Sequence, residues 1–312
     1  MTATALALQE HNALTVRCNF CETLIKDFVQ FCDMSEKSVA TYQRALKQFF
    51  KVIKNAPTYD DIVSFKKNLL EAGRKPSTVA LYLAAVKKFL AWCEQRGICK
   101  NTAQGVKAPK IDAGHKRDFL GVKQLNNILA LMPRDTLEGK RNYAIFLLIV
   151  TTGLRTVEVT RADIQDIRTM GDSTVLFIQG KGRTSKADWV NLPHETLDAI
   201  NDYLKARGQL ADTAPLFAST SFRNKGGRLT TRTISGICKT AMRHAGIDSS
   251  RISAHSLRHS AVTLSLLNGH SLEETQAFAR HSNIATTLVY SHHINRMKST
   301  IEHDICGAIF KL

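Results

Sequence analysis

Residues 255–292 hold two histidine boxes and a tyrosine at short, fixed intervals. His255-Ser256-Leu257-Arg258-His259 comes first, then Arg280-His281-Ser282-Asn283-Ile284-Ala285-Thr286-Thr287, then Tyr290-Ser291-His292. Two further cations stand upstream, in order: Arg155 in Thr151-Thr152-Gly153-Leu154-Arg155-Thr156-Val157-Glu158, and Lys181 in Gly180-Lys181-Gly182-Arg183. A fold that gathers these groups gathers two arginines, a lysine and two histidines, the donors needed to surround one phosphodiester. A tyrosine beside them offers an oxygen nucleophile.

Each group has a plainer reading on its own. A guanidinium suits a tetrahedral phosphate because its planar fork donates to two oxygens at once. Gly153 allows a sharp entry to a helix whose first turn carries Arg155, with Glu158 on the same side. Alone, however, an Arg-x-x-Glu pair reads as a surface ion pair. A lysine on a hairpin turn is ordinarily solubilising, yet near a phosphate it can protonate a leaving alkoxide. Lys186 is the rival of Lys181 for that role, and the two glycines flanking Lys181 favour the latter. His255 and Arg258, three apart, share one side of a helical start, while His259 is expected to pack within the domain. A lone Tyr290 would be core or surface.

Bulk properties narrow the partners. The chain has 312 residues, enough for two domains, and a formal net charge of +16. Residues 1–112 carry 17 Lys+Arg against 10 Asp+Glu, a net +7, which leaves +9 for the rest. An excess shared by both halves suits a polyanion lying against both, although charge alone leaves a basic protein without such a partner open. No run approaches the ~18 apolar residues of a membrane span, and no secretory signal is visible. The seven cysteines are scattered, which argues for free thiols. Cys18-x-x-Cys21 has no second C-x-x-C or H-x-x-x-H to complete a zinc site.

Organisation follows from periodicity. Residues 1–17 read as a leader without strong pattern. Four helical stripes follow: Leu24, Phe28 and Phe31; Val39, Leu46, Phe49, Phe50 and Ile53; Ile62, Phe65 and Leu69, ended by Gly73; and Val79, Tyr82, Leu83, Val86, Phe89 and Leu90, opened by Pro76. Together they predict a helical bundle over residues 18–108. Lys47, Lys51, Lys54, Lys66, Lys67, Lys87 and Lys88 lie between the stripes, either as a solvated face or as a phosphate-contacting one. Residues 105–118 read as extended and basic, with the interdomain linker at 109–118. The remainder, 119–312, reads as mixed: helices over 140–150 and 156–162, an antiparallel hairpin from 174–179 and 188–192, then helices over 193–206 and 231–245, from 253 or 255 to Gly269, and from a Ser271-x-x-Glu274 capping box.

The boxes resemble those of the tyrosine recombinases, also called the phage integrase family. T-G-L-R-x-x-E is similar to its first arginine box, H-S-L-R-H matches its H-x-L-R-H box, and R-H-S-N-I-A-T-T-L-x-Y resembles the box written L-G-H-S-S-x-x-T-T-x-x-Y. Ala279-Arg280 stands where Leu-Gly is usual, which puts the local backbone in question.

The resemblance implies a mainly α protein with a small antiparallel sheet: an N-terminal SAM-like core-binding bundle and a C-terminal catalytic domain. It implies catalytic roles for Arg155, Lys181, His255, Arg258, His281 and Tyr290, with Glu158 holding an arginine in place. DNA contacts are expected at Lys47, Lys87, Lys107, Lys110 and Lys116. The implied reaction cuts and rejoins DNA through a 3′-phosphotyrosine link, with no cofactor, metal or small-molecule substrate. The implied partners are double-stranded DNA with paired sites and three further copies of the chain, forming a tetramer through a C-terminal helix over 294–311. The expected setting is cytoplasmic and nucleoid-associated, without a membrane. Integration or excision of a mobile element is the first reading of the role. Xer-type dimer resolution is the alternative, followed by a type IB topoisomerase and a non-catalytic DNA-binding regulator.

Overall fold

The computed structural model describes residues 22–53, 56–111, 118–180 and 182–310. The leader, Cys18, Cys21, Lys54, Lys116 and Lys181 lie outside the described residues. The chain divides into two compact units, Met1–Gly114 and His115–Leu312.

The first unit is a bundle of four helices: α1 over residues 22–31, α2 (Glu36–Val52), α3 (Tyr59–Glu71) and α4 (Pro76–Gln95). Local chemistry sets the starts. The Ser35 hydroxyl accepts from the Ser38 N–H, Thr58 and Asp61 form a reciprocal capping box, and Pro76 opens α4 where its missing N–H costs nothing. The core is aromatic. Phe28 meets Phe89 edge-on at 5.3 Å, and Phe49 meets Phe65 at 5.0 Å. Two expectations need correction. Phe31 is 54% exposed, lying over Trp92 beside Arg96, and Ile25 takes the buried position instead. Ala103 and Val106 are buried in this core, so the segment from 105 begins as part of the bundle and not as free linker.

The second unit is built around α6 (Leu137–Thr152), whose 144–149 run is buried on all sides. It packs against α8 (His194–Arg207), α9 (Thr231–His244) and α10 (Ala254–Leu267). A further helix, α5 (Val122–Leu131), forms in a stretch the sequence reading left unassigned. The expected hairpin is a three-stranded antiparallel sheet in the order β1 (Ile167–Met170), β2 (Ser173–Ile178), β3 (Asp188–Asn191). Strand β1 escaped the pattern because its register opposite β2 leaves three of its four residues exposed.

The last helices are α11 (Leu272–Ala279), α12 (Ala285–Lys298) and α13 (Ile301–Phe310). Ser271 and Glu274 do form the expected capping box. The helix anticipated over 294–311 is broken at Ser299-Thr300, which leaves Ile294 buried on α12 and every described residue of α13 unburied.

Two chain reversals place the site. Gly153 ends α6 with φ 63°, and a Cβ there would stand 3.2 Å from the Phe278 ring. Position 153 therefore needs glycine for both conformation and room. Arg280 ends α11 with φ 53°, the one described non-glycine residue with positive φ. The doubt raised by arginine in a glycine position resolves into a left-handed residue that keeps the bend.

Candidate active site

Arg155 sits one residue before α7 (Thr156–Arg161), in extended backbone with φ −77° and ψ 148°, and not in the first turn as expected. Its main-chain N–H donates to Glu158 Oε2 at 2.7 Å, and its Nη1 donates to Oε1 at 2.9 Å. The Glu158 side chain is only 1% exposed, so the pair is no surface ion pair. A buried carboxylate is costly unless fully hydrogen-bonded, and here both oxygens are engaged. Glu158 thus caps α7 and fixes the Arg155 guanidinium in one stroke.

Arg258 comes from α10 and is 2% exposed. Its Nη1 donates to the Gly153 carbonyl and its Nη2 to the Ala279 carbonyl. These acceptors are the end of α6 and the end of α11, so one side chain ties the two reversals together. Burial, and then the nearby Arg155 and Arg280 charges, push its pKa down to about 10. It stays charged at neutral pH.

His281 follows α11 directly. Its Nδ1 lies 3.0 Å from the Thr287 hydroxyl, and its carbonyl accepts from Gln276 Nε2 at 3.0 Å. Burial first, and then Arg258, Arg155 and Arg280, push its pKa down to about 4. Tyr290 stands on α12, 6% exposed, packed with Val262, Ala279 and Leu266. Its ring is 6.3 Å from that of His281 and 5.1 Å from that of His259. Burial raises its phenol to about 12, against the pull of Arg258 and Arg155.

The structure therefore brings Arg155, Glu158, Arg258, His281 and Tyr290 into one cluster. His255 is exposed, its ring meets that of His259 at 4.7 Å, and its charge adds to those that lower the His281 pKa. His259 was expected to pack inside the domain; it lies between His255 and Tyr290. Its spacing of four from His255 put it on the same helical face, a signal already present in the sequence. Arg280 is a further member, with its Nη2 at 3.4 Å from Glu158 Oε2.

Lys186, the rival of Lys181, is engaged elsewhere. Its Nζ donates to Asp163 Oδ2 at 2.6 Å and also to the buried Asp166. Burial works to raise the Asp163 carboxyl, but the hydrogen bonds from Lys186 and Arg228 outweigh it and hold the pKa low.

In the first unit Lys47 lies in a surface cleft with Gln43, Arg44, Lys51 and Arg74, and no acidic residue lines it. Arg44 and Arg74 were missed, although Arg44, Lys47 and Lys51 repeat at helical spacing on α2. Lys87 is half-buried on α4 outside that cleft, and Lys107 and Lys110 are exposed. Among the described residues no helix is long and apolar enough to cross a membrane.

Comparison with known proteins gives this cluster a context. The phage integrase family matches residues 118–296, and the phage integrase N-terminal SAM-like domain matches residues 21–97. The tyrosine recombinase slr0733 of Synechocystis sp. is 28% identical over 290 residues, covering 87% of this chain and 90% of its own. Tyrosine recombinase XerC of Roseiflexus castenholzii is 28% identical over 301 residues, covering 90% and 91%. Among solved structures, the XerH site-specific recombinase bound to palindromic difH substrate shares the fold with a TM-score of 0.69 at 21% identity, over 85% of this chain and 80% of that one. The two family matches account for both units, and the catalytic one alone spans more than half of the sequence: the chain belongs to the phage integrase family, the tyrosine recombinases, which cleave and rejoin DNA through a tyrosine nucleophile.

Proposed function

We propose that this chain carries out site-specific strand exchange on duplex DNA with paired binding sites, and that Tyr290 is its nucleophile. The observation that carries the reading is the convergence of Arg155, Arg258 and His281 on one buried tyrosine. In-line attack by the Tyr290 oxygen on the scissile phosphorus forms the 3′-phosphotyrosine bond and breaks the bond to the 5′ oxygen. Arg155 and Arg258 hold the charge that gathers on the non-bridging oxygens. His281 is proposed to accept from the Thr287 hydroxyl at Nδ1, which would leave its proton on Nε2 to donate as a neutral imidazole. His255 takes or shares the phenol proton. Lys181 returns a proton to the departing oxygen; the commitment of Lys186 to Asp163 and Asp166 supports that choice. Rejoining reverses these steps, so the bond energy is conserved.

The basic cleft around Lys47 supports phosphate contact by the first unit. Lys87, Lys107, Lys110 and Lys116 extend that proposal, with residues 109–118 as the linker between a core-binding domain and the catalytic domain. Helix α13 is proposed to dock on a neighbouring copy in a tetramer, since Ile301, Ile305 and Ile309 are 63%, 55% and 67% exposed at i, i+4, i+8. Arginine in place of the family's usual glycine favours mobile-element integration or excision as the role. The XerC names of the relatives favour a second reading, Xer-type dimer resolution. Recombination between sites on one multimeric circle, against joining of element ends to a target, tells them apart.

Tyr290→Phe keeps ring volume and loses the nucleophilic oxygen. DNA binding should persist while the covalent adduct on a nicked suicide substrate disappears from a denaturing gel; an adduct in this variant would move the nucleophile elsewhere. Lys181→Ala should slow cleavage of ordinary DNA and recover on a 5′-phosphorothiolate substrate, whose sulfur leaves without a proton. Recovery in Lys186→Ala, and none in Lys181→Ala, would transfer the role.

His281 titrates near 4 in the fold and at its ordinary 6.5 when unfolded. The unfolded chain then binds the extra proton between those values, so this contribution to stability is complete above pH 6.5 and is lost as pH falls towards 4. Urea midpoints should therefore fall less between pH 7.5 and pH 4.5 in His281→Gln than in wild type; parallel losses would contradict the depressed value. Ile305→Glu should leave melting and single-site binding intact and abolish two-site synapsis. Normal synapsis by this variant would rule out docking through α13.

A further inference from the structure

Arg280 occupies a conformation that disfavours a residue with a Cβ: φ 53° and ψ 46°. Such outliers persist where the surroundings over-determine them. Here the surroundings are specific. The side chain is 11% exposed and turned inward. Its Nη1 donates to the Phe278 carbonyl at 2.9 Å. Its Nη2 lies 3.4 Å from the Gly153 carbonyl and 3.4 Å from Glu158 Oε2. Its Nε is buried with no hydrogen-bond partner among the described residues.

Two of these acceptors already hold other arginines. Glu158 holds Arg155, and the Gly153 carbonyl holds Arg258. Arg280 is thus in touch with the supports of both. Glu158 alone would be asked to restrain Arg155 against the repulsion of Arg258, and the α6 terminus alone would hold Arg258. A third guanidinium bridging carboxylate and carbonyl makes the two supports one assembly.

We propose that Arg280 is a positioning residue for strand cleavage: by bridging Glu158 and the Gly153 carbonyl, it fixes the Arg155 and Arg258 guanidiniums relative to one another before DNA arrives. The inference rests on the reading that these two arginines clamp the scissile phosphate. Both terminal nitrogens of Arg280 face protein oxygens, so it acts through its neighbours and not on the phosphate. A glycine would satisfy the backbone at position 280 and leave the supports unbridged.

The test is single-turnover cleavage of the suicide substrate by the full chain, beside thermal melting and single-site binding. Arg280→Gly suits the left-handed backbone, so melting and binding should hold. Cleavage should slow by about ten- to a hundredfold, the scale of one charge-assisted contact. Guanidinium ion below denaturing concentration should restore part of that rate. Glu158→Gln should be slow as well, and adding Arg280→Gly to it should cost little more, because both act through one contact. Should Arg280→Gly melt early, Arg280→Lys supplies the rates; it keeps the charge, loses the fork and should fall between wild type and Glu158→Gln. Cleavage at the wild-type rate by a folded Arg280 variant would overturn the inference, as would multiplicative losses in the double variant. An adduct formed by Tyr290→Phe in the same assay would instead remove the underlying reading of the site.

Discussion

One buried carboxylate organises the catalytic unit. Glu158 sits among the guanidiniums of Arg155, Arg258 and Arg280, and only through it can such a concentration of like charge be held inside a fold. A buried charge is tolerable when paired, and a cluster of buried cations is tolerable when an anion stands between them. The carboxylate does this with help from main-chain oxygens at the ends of α6 and α11. Those oxygens are available because the helices terminate there, each with unsatisfied carbonyls. Helix ends and arginines thus satisfy one another, and the cluster keeps an excess of positive charge for an incoming anion.

Two flanking groups are held uncharged, chiefly by burial. A proton on His281 would add to a positive field, and the imidazole is neutral. Burial holds the Tyr290 phenol protonated even though the arginines favour its anion. On the proposed reading, a phosphate that cancels part of the arginine field makes protonation of His281 easier and ionisation of Tyr290 harder.

Most of this was legible in the chain, for reasons that differ by residue. The N-terminal stripes could be read because helical burial repeats every three to four residues, and Leu46, Phe49, Ile62, Phe65 and Leu83 are buried as that repeat demands. Phe31 fit the stripe and yet lies outside, because periodicity gives a face and not what covers it. Strand β1 could not be read, since an edge strand with three exposed residues has no alternation to detect. Within the site, box spacing marked Arg155, Arg258, His281 and Tyr290 as candidates. It could not say that Arg258 would bind two main-chain carbonyls or that His259 would lie against Tyr290, because those contacts join segments far apart in sequence. Arg280 is the instructive case: a departure from a familiar pattern looked like a weakness, and its side chain turned out to be part of the cluster.

The break at Ser299-Thr300 gives the C-terminus a mechanical character. Helix α12 is held by α10 and α11 around Tyr290, whereas α13 is unburied and joined to it by two residues. From Tyr290 to Lys298 is about 12 Å of helical rise. Whatever holds α13 therefore acts on the helix that carries Tyr290 near its middle, and the short joint decides how much of that pull arrives as rotation and how much as displacement.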